Sequence, residues 1–314
     1  MGSQSLMKVP VLDFSGVLKP GTERWKTLTR DVREAVEGLG CFEAVYDTNF
    51  PDSLQKEFFS AMKELFDLPL ETKMKNQSEV LAHGYWAPKS HAPLYEATSI
   101  NHAEQLENIE QFTNLMWPQG HPKFNETVKT ATKKIIGVSR LIRIMVLESY
   151  GVEKYNDDLE RTTNYHFRMM KYTAPKGDNQ VKGLHDHSDK NMMTILCQDQ
   201  VGGLEVQFKD GSWSPVVPSG GSLVITIGDT FMAWPNGRLH PVRHRVMHKG
   251  YEDRYSCGIF SFPIPNVLIE APQELVDENH PKLFKPFDTH AYYKFYYFHR
   301  TNQKEYGLKE FAGI

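Results

Sequence analysis

Apolar residues recur every three to four positions in three stretches of the first half of the chain, the spacing of an amphipathic helix. The first stretch follows Thr22, a residue that can cap a helix, and stops at Gly40, a residue type common just beyond a helix end. A strand is expected at residues 41–46, a second helix from about Pro51, and a long helix over about 122–150. The N-terminal part of the chain is therefore predicted to be mainly helical.

The apolar spacing is lost between the second and third helices. Residues 76–119 contain stretches such as GYWAPKSHAPLYE, in which Gly, Pro and aromatic residues follow no regular period. A long irregular segment in a compact protein is usually functional or poorly ordered. We expect this segment to form a lid or a wall over a binding site.

From about residue 164 to residue 263 the pattern changes to short β-rich runs broken by Gly and Asp. These runs include TILCQD, GGLEV, SLVITIGD and RVMH. Many short strands of this kind are typical of two facing sheets, the jelly-roll arrangement of the cupins. The predicted fold class is a mainly β core with surrounding helices, a distorted double-stranded β-helix.

The chain is expected to divide into a helix-rich part (1–160), the jelly-roll core (161–265) and a C-terminal helical tail (266–314). The tail contains the aromatic run YYKFYYFHR at 292–300. We expect a helix here to pack its aromatic side onto the core. The alternative is that part of the tail covers the mouth of the active site.

Two histidines and one carboxylate are the most informative polar residues. His187 and Asp189 form an H-x-D sequence, and residues i and i+2 of a strand share one face. His244 would reach the same point from another strand. Two imidazoles and one carboxylate bound on one side of a metal are typical of non-haem Fe(II) oxygenases. The predicted site is therefore an Fe(II) centre with open positions for O2 and a chelating cosubstrate.

Arg254 and Ser256 are also two residues apart in a β-rich run, RYSCGIF. A guanidinium binds a carboxylate with two parallel hydrogen bonds, and a serine hydroxyl can add a third. This pair is predicted to bind the distal carboxylate of a keto acid.

Spacing alone leaves other assignments open. His185 shares the strand face of His187, and His240 has the same alternation as His244. A zinc hydrolase could use the same three ligands, although Arg254 and Ser256 would then have no role. A jelly-roll binding protein or sensor without turnover is a further alternative.

Composition bounds the remaining possibilities. The chain has 314 residues, a formal net charge of −3 and three cysteines without C-x-x-C spacing. A pI near 6.5 is not typical of a nucleic-acid-binding protein. Sparse cysteines predict a reducing compartment, and the chain has neither an apolar run of membrane-spanning length nor a signal-peptide pattern. A cytoplasmic protein without nucleic-acid or membrane partners is expected.

The chain resembles the plant 2-oxoglutarate/Fe(II)-dependent dioxygenases over nearly its whole length. The resemblance rests on VPVLDFSG, GLGCFEAV, GYWAP, HSDKNMMTILCQDQVGGLEV, GSLVITIGDTFMAWPNGRLHPVRHRV, RYSCGIF and ELVDENHPKLFKPF. Within the family it is most similar to the branch with glucosinolate side-chain oxygenases and steroidal-alkaloid hydroxylases, and less similar to the auxin-oxidising dioxygenases. The resemblance implies a jelly-roll core, Fe(II), 2-oxoglutarate as cosubstrate and ascorbate as reductant.

The resemblance also implies roles for individual residues. His187, Asp189 and His244 match the iron ligands. Arg254 and Ser256 match the R-x-S that binds 2-oxoglutarate, and Tyr172 matches a tyrosine that binds the same cosubstrate. Two positions depart from the pattern, because Met170 and Thr226 stand where the family commonly has Asn.

The implied function is oxidation of a small plant specialised metabolite or hormone-like compound by O2, with release of succinate and CO2. Hydroxylation, O-demethylation, desaturation and ring closure all remain open, as does an oxidase that uses ascorbate in place of 2-oxoglutarate. The expected substrate is largely apolar, because no cluster of basic residues is found among the proposed walls. The proposed walls are Tyr85, Met116, Trp117, Phe167 and Phe260.

Overall fold

The computed structural model describes most of the chain. The described residues are 8–46, 50–80, 83–90, 92–217, 219–299 and 307–314. Among them, no helix is both long and apolar enough to cross a membrane.

Six α-helices lie in the described residues of the N-terminal half, and the first, second and fifth of these six were predicted. They are α1 (Glu23–Gly38), α2 (Asp52–Phe66), α3 (Leu70–Lys73), α4 (Leu106–Met116), α5 (Pro122–Ser149) and α6 (Asn156–Arg161). The Thr22 side chain caps α1 by accepting a hydrogen bond from the Trp25 amide at 3.3 Å, as predicted. Gly40 has a φ of +74°. A Cβ there would lie 1.8 Å from the His240 carbonyl oxygen, so this close contact requires glycine.

Seven strands form the larger sheet. They are β1 (Val11–Asp13), β2 (Cys41–Val45), β3 (Tyr95–Ile100), β4 (Thr163–Tyr172), β6 (Met193–Gln198), β9 (Ser222–Ile227) and β11 (Arg254–Pro263). Their order is β1-β2-β9-β6-β11-β4-β3. The β1–β2 pair is parallel and the other pairs are antiparallel.

A four-stranded antiparallel sheet faces the larger one. It consists of β5 (Gly177–His187), β10 (His244–Gly250), β7 (Leu204–Gln207) and β8 (Trp213–Pro215), in that order. The two sheets form the predicted jelly roll. The remaining elements are α7 (Asp229–Ala233), α8 (Thr289–His299), α9 (Leu308–Ala312), the short strands β12 (Leu268–Ile269) and β13 (Phe287–Asp288), and 3₁₀ helices at Glu153–Tyr155 and Gln273–Leu275.

The two faces of β4 lie in different surroundings. Tyr165, Phe167 and Met169 belong to the main hydrophobic core, which the helices share. His166, Arg168, Met170 and Tyr172 lie on the other side and line a cavity between the sheets. This alternation follows from the two-residue period of a strand, and it separates the packed core from the cavity.

Residues 76–119 are more regular than predicted. They contain β3 and α4, so the prediction of an irregular segment was wrong for residues 95–100 and 106–116. The β3 strand pairs with β4 and thereby completes one edge of the larger sheet. The three-part division of the chain stays a prediction, and β1, β2 and β3 of the first part lie in the same sheet as the core strands.

Candidate active site

The cavity between the two sheets has a volume of about 880 Å³. Its walls come from β4, β6 and β11 of the larger sheet, from β5 and β10 of the smaller one, and from α8. Residues on both sheets can therefore face one bound ligand.

His187 and His244 lie opposite each other at the open end of the smaller sheet. His187 is the last residue of β5, His244 is the first of β10, and the two are direct register partners. Their ring centres are 4.4 Å apart. Pairing of two antiparallel strands thus brings together residues that are far apart in sequence.

Asp189 completes the cluster from outside the strand. The β5 strand ends at His187, so the prediction that Asp189 shares a strand face with it was wrong. The chain leaves the sheet here, and the Asp229 amide donates to the Asp189 carbonyl at 2.8 Å. The Asp189 Oδ1 atom still lies 3.6 Å from His187 Nε2 and 3.8 Å from His244 Nε2.

Hydrogen bonds orient the two imidazoles toward this point. Nδ1 of His187 donates to the His185 carbonyl oxygen at 2.9 Å, and Nδ1 of His244 lies 3.4 Å from the Val242 carbonyl oxygen. A neutral imidazole that donates through Nδ1 has its lone pair on Nε2. In each ring the nitrogen nearest to Asp189 is therefore the one able to bind a metal.

The Asp189 carboxylate is oriented in a similar way. Its Oδ2 atom accepts a hydrogen bond from the Thr194 hydroxyl at 2.6 Å, with the Thr226 hydroxyl 3.5 Å away. Oδ1 is left to face the imidazoles. The sequence analysis did not identify Thr194, although its position five residues after Asp189 in a β-rich run was visible.

The three side chains fit a divalent iron. Each offers one ligand atom, and these atoms all lie within 4.8 Å of one another. Two imidazole nitrogens and a carboxylate oxygen are the ligands of non-haem Fe(II) sites. Burial is the main reason why the pKa of His187 lies well below its ordinary value, and the neighbouring His244 and His185 lower it further. The ring is therefore neutral at physiological pH, as a metal ligand must be.

Arg254 also lines the cavity and is almost completely buried. It donates to Gln198 Oε1 at 2.8 Å and to Ser256 Oγ at 3.1 Å, both of which are neutral groups. Burying a guanidinium is costly unless an anion compensates it. This arrangement suits a carboxylate ligand held by Arg254 and Ser256. Gln198 was not identified from the sequence.

Tyr172 and Met170 form the neighbouring part of this wall. In the register of β4 and β11, Tyr172 is opposite Arg254 and Met170 is opposite Ser256. Met170 therefore faces the cavity. The side-chain amide of an asparagine at this position could have reached a ligand. The thioether of Met170 offers only a weak acceptor, so Met170 adds no strong polar contact beside Arg254, Ser256 and Tyr172.

The two alternative histidines occupy different surroundings. His185 lines the cavity, with its ring centre 5.2 Å from that of His187. His240 lies before β10, and its amide donates to the Val36 carbonyl at the end of α1. The three-residue cluster within metal-binding distance contains neither of them.

One of the five proposed substrate walls lines the cavity. Phe260, on β11, faces it. Phe167 instead faces the helices and packs against Phe58, with ring centres 5.8 Å apart. It was assigned to the wrong face because the sequence did not reveal which alternate residues of β4 point inward.

The other three proposed walls also lie elsewhere, and the prediction is corrected for them. The Tyr85 hydroxyl donates to Glu96 at 2.7 Å. Met116 is buried in the helical core, and the Trp117 ring lies 4.6 Å from that of Phe124. The β3–α4 structure of this segment turns these side chains away from the cavity.

Several wall residues were missed by the sequence analysis. His83 and His166 stack with ring centres 3.8 Å apart, and Phe262 lies beside both rings. Tyr293 of α8 packs edge-on against Phe262 at 6.2 Å. Tyr296 and Tyr297 also line the cavity, while Tyr292 is fully buried in the core. The aromatic tail therefore packs on the core, as predicted, and it also supplies part of the cavity wall.

Comparison with protein families agrees with this geometry. Residues 163–263 match the 2OG-Fe(II) oxygenase superfamily. Residues 9–126 match the N-terminal region of the non-haem dioxygenases in morphine synthesis. The chain belongs to the 2OG-Fe(II) oxygenase superfamily. It is a 2-oxoglutarate-dependent dioxygenase whose cofactor is Fe(II) and whose cosubstrate is 2-oxoglutarate.

Individual proteins extend the comparison. The probable 2-oxoglutarate-dependent dioxygenase AOP1 of Arabidopsis thaliana is 43% identical over 94% of this chain and 97% of its own length. AtDAO1, a dioxygenase for auxin oxidation from the same plant, was solved with 2-oxoglutarate. It has a TM-score of 0.79 and 30% identity, and the match covers 87% of this chain and 100% of AtDAO1. The rice dioxygenase for auxin oxidation has a TM-score of 0.80 and 28% identity over 98% of this chain and 100% of its own. Identity is thus higher to this AOP protein than to these auxin-oxidising dioxygenases, as the sequence motifs predicted.

Proposed function

We propose that this enzyme oxidises a small plant metabolite in the cavity between the two sheets, with His187, Asp189 and His244 as its iron ligands. The observation that carries the proposal is that this cluster and the buried Arg254 face the same cavity. The reaction consumes O2 and 2-oxoglutarate and releases succinate and CO2 as the substrate is oxidised.

The proposed iron ligands and the proposed 2-oxoglutarate-binding residues have separate roles. Bound Fe(II) supplies the oxygen activation and the oxidising power. His187 and His244 present Nε2, and Asp189 presents Oδ1, to one point. Arg254, Ser256 and Tyr172 hold the distal carboxylate of 2-oxoglutarate, which directs its keto-acid end toward that point. Both ends of the cosubstrate are then fixed before the substrate reacts.

The cavity is less apolar than the sequence analysis expected. Besides Arg254, four basic side chains line it, which contradicts the expectation that its walls lack a basic cluster. Lys182 and Arg243 both pair with Asp186, at 3.8 and 2.7 Å. Lys190 pairs with Asp229 at 2.8 Å. Three of these cations therefore pair with two carboxylates, which leaves one net positive charge among them.

Arg168 is the fourth basic residue of the wall, and a guanidinium that lines a cavity can bind an anionic substrate group. It lies near Tyr95 and Tyr293, whose pKa values burial raises, and near His166, whose pKa burial lowers; the charge of Arg168 opposes the first two shifts and adds to the third. A guanidinium has five N–H donors and can bind a carboxylate while keeping contacts within the wall. The proposed substrate has an apolar or aromatic body against Phe260 and a carboxylate near Arg168.

A substrate screen tests the proposal. Purified enzyme with Fe(II), 2-oxoglutarate and ascorbate is incubated with plant metabolite extracts, and succinate release and a mass gain of one oxygen are measured. Omission of 2-oxoglutarate abolishes the product if the proposal holds. Undiminished product with ascorbate alone would instead identify an ascorbate-using oxidase.

The proposed carboxylate contact has its own test. Matched acids and their methyl esters are compared as substrates for wild-type enzyme, Arg168→Gln and the control Arg245→Gln, whose guanidinium pairs with Glu205 at 2.8 Å. The acid is preferred by wild type and by the control, and Arg168→Gln loses at least about tenfold of that preference. Equal acid preference in Arg168→Gln would overturn the contact.

The finer aspects of this proposal follow from the same site. Hydroxylation is the default outcome, and O-demethylation follows if the attacked carbon belongs to a methoxy group. A small molecule fits the cavity volume of about 880 Å³, whereas a nucleic acid does not. We further propose that the enzyme acts in the cytoplasm, because its three cysteines are buried and free in the structure.

A further inference from the structure

A buried ion pair lies directly beside Asp189. Lys190 Nζ and Asp229 Oδ2 are 2.8 Å apart, and their side chains are 4% and 6% exposed. A buried ion pair contributes little net stability unless additional hydrogen bonds satisfy both groups. The neighbours of this pair therefore indicate what it does.

The pair holds the chain on both sides of Asp189. Lys190 Nζ donates to the Ser188 carbonyl oxygen at 3.0 Å and to the Ser188 hydroxyl at 2.9 Å. The Asp229 amide donates to the Asp189 carbonyl oxygen at 2.8 Å. The Thr230 hydroxyl donates to the Lys190 carbonyl oxygen at 2.7 Å. The backbone from Ser188 to Lys190 is thus fixed to the start of α7, outside any strand.

The same pair connects to the C-terminal helix. The fully buried Tyr292 of α8 donates its hydroxyl to Asp229 Oδ2 at 2.5 Å. Lys190 Nζ lies 4.1 Å from the centre of the Tyr296 ring, a cation–π contact. Asp229 Oδ2 therefore accepts from both Lys190 and Tyr292, and a side chain of α8 is two hydrogen bonds away from the Asp189 backbone.

We propose that Lys190, Asp229 and Tyr292 are positioning residues that fix the Asp189 carboxylate for iron, so that the C-terminal helix is a working part of the metal site. The proposal rests on the proposed role of Asp189 as an iron ligand. Asp189 needs such support because it follows the end of β5 and lacks the strand pairing that holds His187 and His244.

The test compares iron affinity with folding stability. Lys190→Met removes the charge and keeps most of the side-chain length, whereas Tyr292→Phe removes one hydroxyl. Lys73→Met is the matched control, because Lys73 and Glu96 form another buried ion pair, at 2.6 Å with both side chains 10% exposed. The Fe(II) dissociation constant is measured without O2, the ligand-field spectrum with Co(II), and unfolding by urea without metal.

Lys190→Met is expected to raise the Fe(II) dissociation constant at least about tenfold, the usual effect of removing support behind a metal ligand. Tyr292→Phe is expected to raise it severalfold, and both variants change the Co(II) spectrum. Lys73→Met is destabilised in urea but keeps the wild-type iron affinity and spectrum.

Unchanged iron affinity and Co(II) spectrum in folded Lys190→Met would overturn the proposal. If Lys190→Met does not fold, Tyr292→Phe decides in the same way. A loss of iron affinity in Lys73→Met equal to that in Lys190→Met would mean that the effect is general destabilisation. Asp189→Ala distinguishes failure of the ligand assignment from failure of the positioning role. If Asp189→Ala retains iron, the assignment of Asp189 as a ligand is wrong. If it loses iron while Tyr292→Phe and Lys190→Met keep it, only the positioning role is wrong.

Discussion

Tyr172 and Arg254 are directly opposed on the neighbouring strands β4 and β11, with the guanidinium carbon 5.1 Å from the centre of the tyrosine ring. The ring covers one side of a buried cation whose hydrogen-bond partners, Gln198 and Ser256, are neutral. We propose that the distal carboxylate of 2-oxoglutarate binds at this pair, which leads to the first prediction.

Arg254→Lys is expected to raise the KM for 2-oxoglutarate by roughly tenfold or more, with a smaller change in kcat. Lysine keeps the charge but loses the two-pronged hydrogen bonding, and a hydrogen bond to a charged group contributes on the order of 1.5–3 kcal/mol. Tyr172→Phe is expected to raise the KM less, because it removes one neutral hydroxyl. Steady-state succinate release at varied 2-oxoglutarate measures both, and an unchanged KM in Arg254→Lys contradicts the assignment.

Replacing His187, Asp189 or His244 with alanine is expected to remove tightly bound iron and abolish turnover. Each replacement deletes one of the three atoms that converge within 4.8 Å. The matched controls are His185→Ala and His240→Ala, which are expected to retain iron. Iron content after anaerobic reconstitution is the measurement. Iron retained in His187→Ala but lost in His185→Ala would reverse the assignment.

Phe260→Ala is expected to change substrate preference or the site of attack without changing the affinity for iron. Its ring lines the cavity, and truncation enlarges the space beside the substrate. Trp117→Ala is now the control, because its ring packs on Phe124 outside the cavity. Product ratios over a common substrate panel distinguish them. The same shift in both variants would indicate an indirect effect of stability.

The His83–His166 stack predicts a pH dependence of folding. The pKa of His83 is lowered from 6.5 to about 4, mainly by burial. A hydrogen bond with Asn101 opposes this shift, and the charges of Arg168, His290 and His102 add to it. Above pH 6.5 the ring is neutral in both the folded and the unfolded chain, so it contributes no pH dependence. As the pH falls from 6.5 to about 4, only the unfolded chain takes up this proton, and the free energy of unfolding decreases.

The wild type is expected to lose roughly 2–3 kcal/mol more than His83→Phe over this pH interval, since one pKa unit corresponds to about 1.4 kcal/mol. Urea unfolding of the metal-free proteins at a series of pH values measures the difference. Parallel pH profiles for the two proteins would show that His83 titrates normally in the folded state.

The sequence was sufficient to predict the jelly roll and the three residues that form the candidate metal site. Spacing left His185 and His240 open as alternatives, and the family resemblance selected His187 and His244, which lie at the ends of two strands that pair. Asp189 was included for an incorrect reason, since it lies beyond the strand and is held by Thr194 and the start of α7. The contact with α7 has no signal in local spacing, because Asp229 is distant from Asp189 in the sequence.

The substrate walls were harder to predict for a different reason. Local pattern identifies a strand, but it does not say which alternate face meets the cavity, so Phe167 was chosen and His166 was not. Trp117 and Met116 were chosen because their segment seemed irregular, whereas β3 and α4 order it. Tyr293 enters the wall from the far end of the chain, a contact set by tertiary packing alone.

The three N-terminal strands of the larger sheet have a consequence for how the enzyme is assembled. β2 pairs with β9 on one side of the larger sheet, and β3 pairs with β4 on the other. Strands that are synthesised early therefore cover both edges of the group of strands that is synthesised later. Residues 163–263, expressed alone, would expose both of these strand edges, which are prone to pair with other chains. A fusion or transplant of this oxygenase therefore has to carry the chain from β1 onward, although every proposed iron and cosubstrate ligand lies after residue 170.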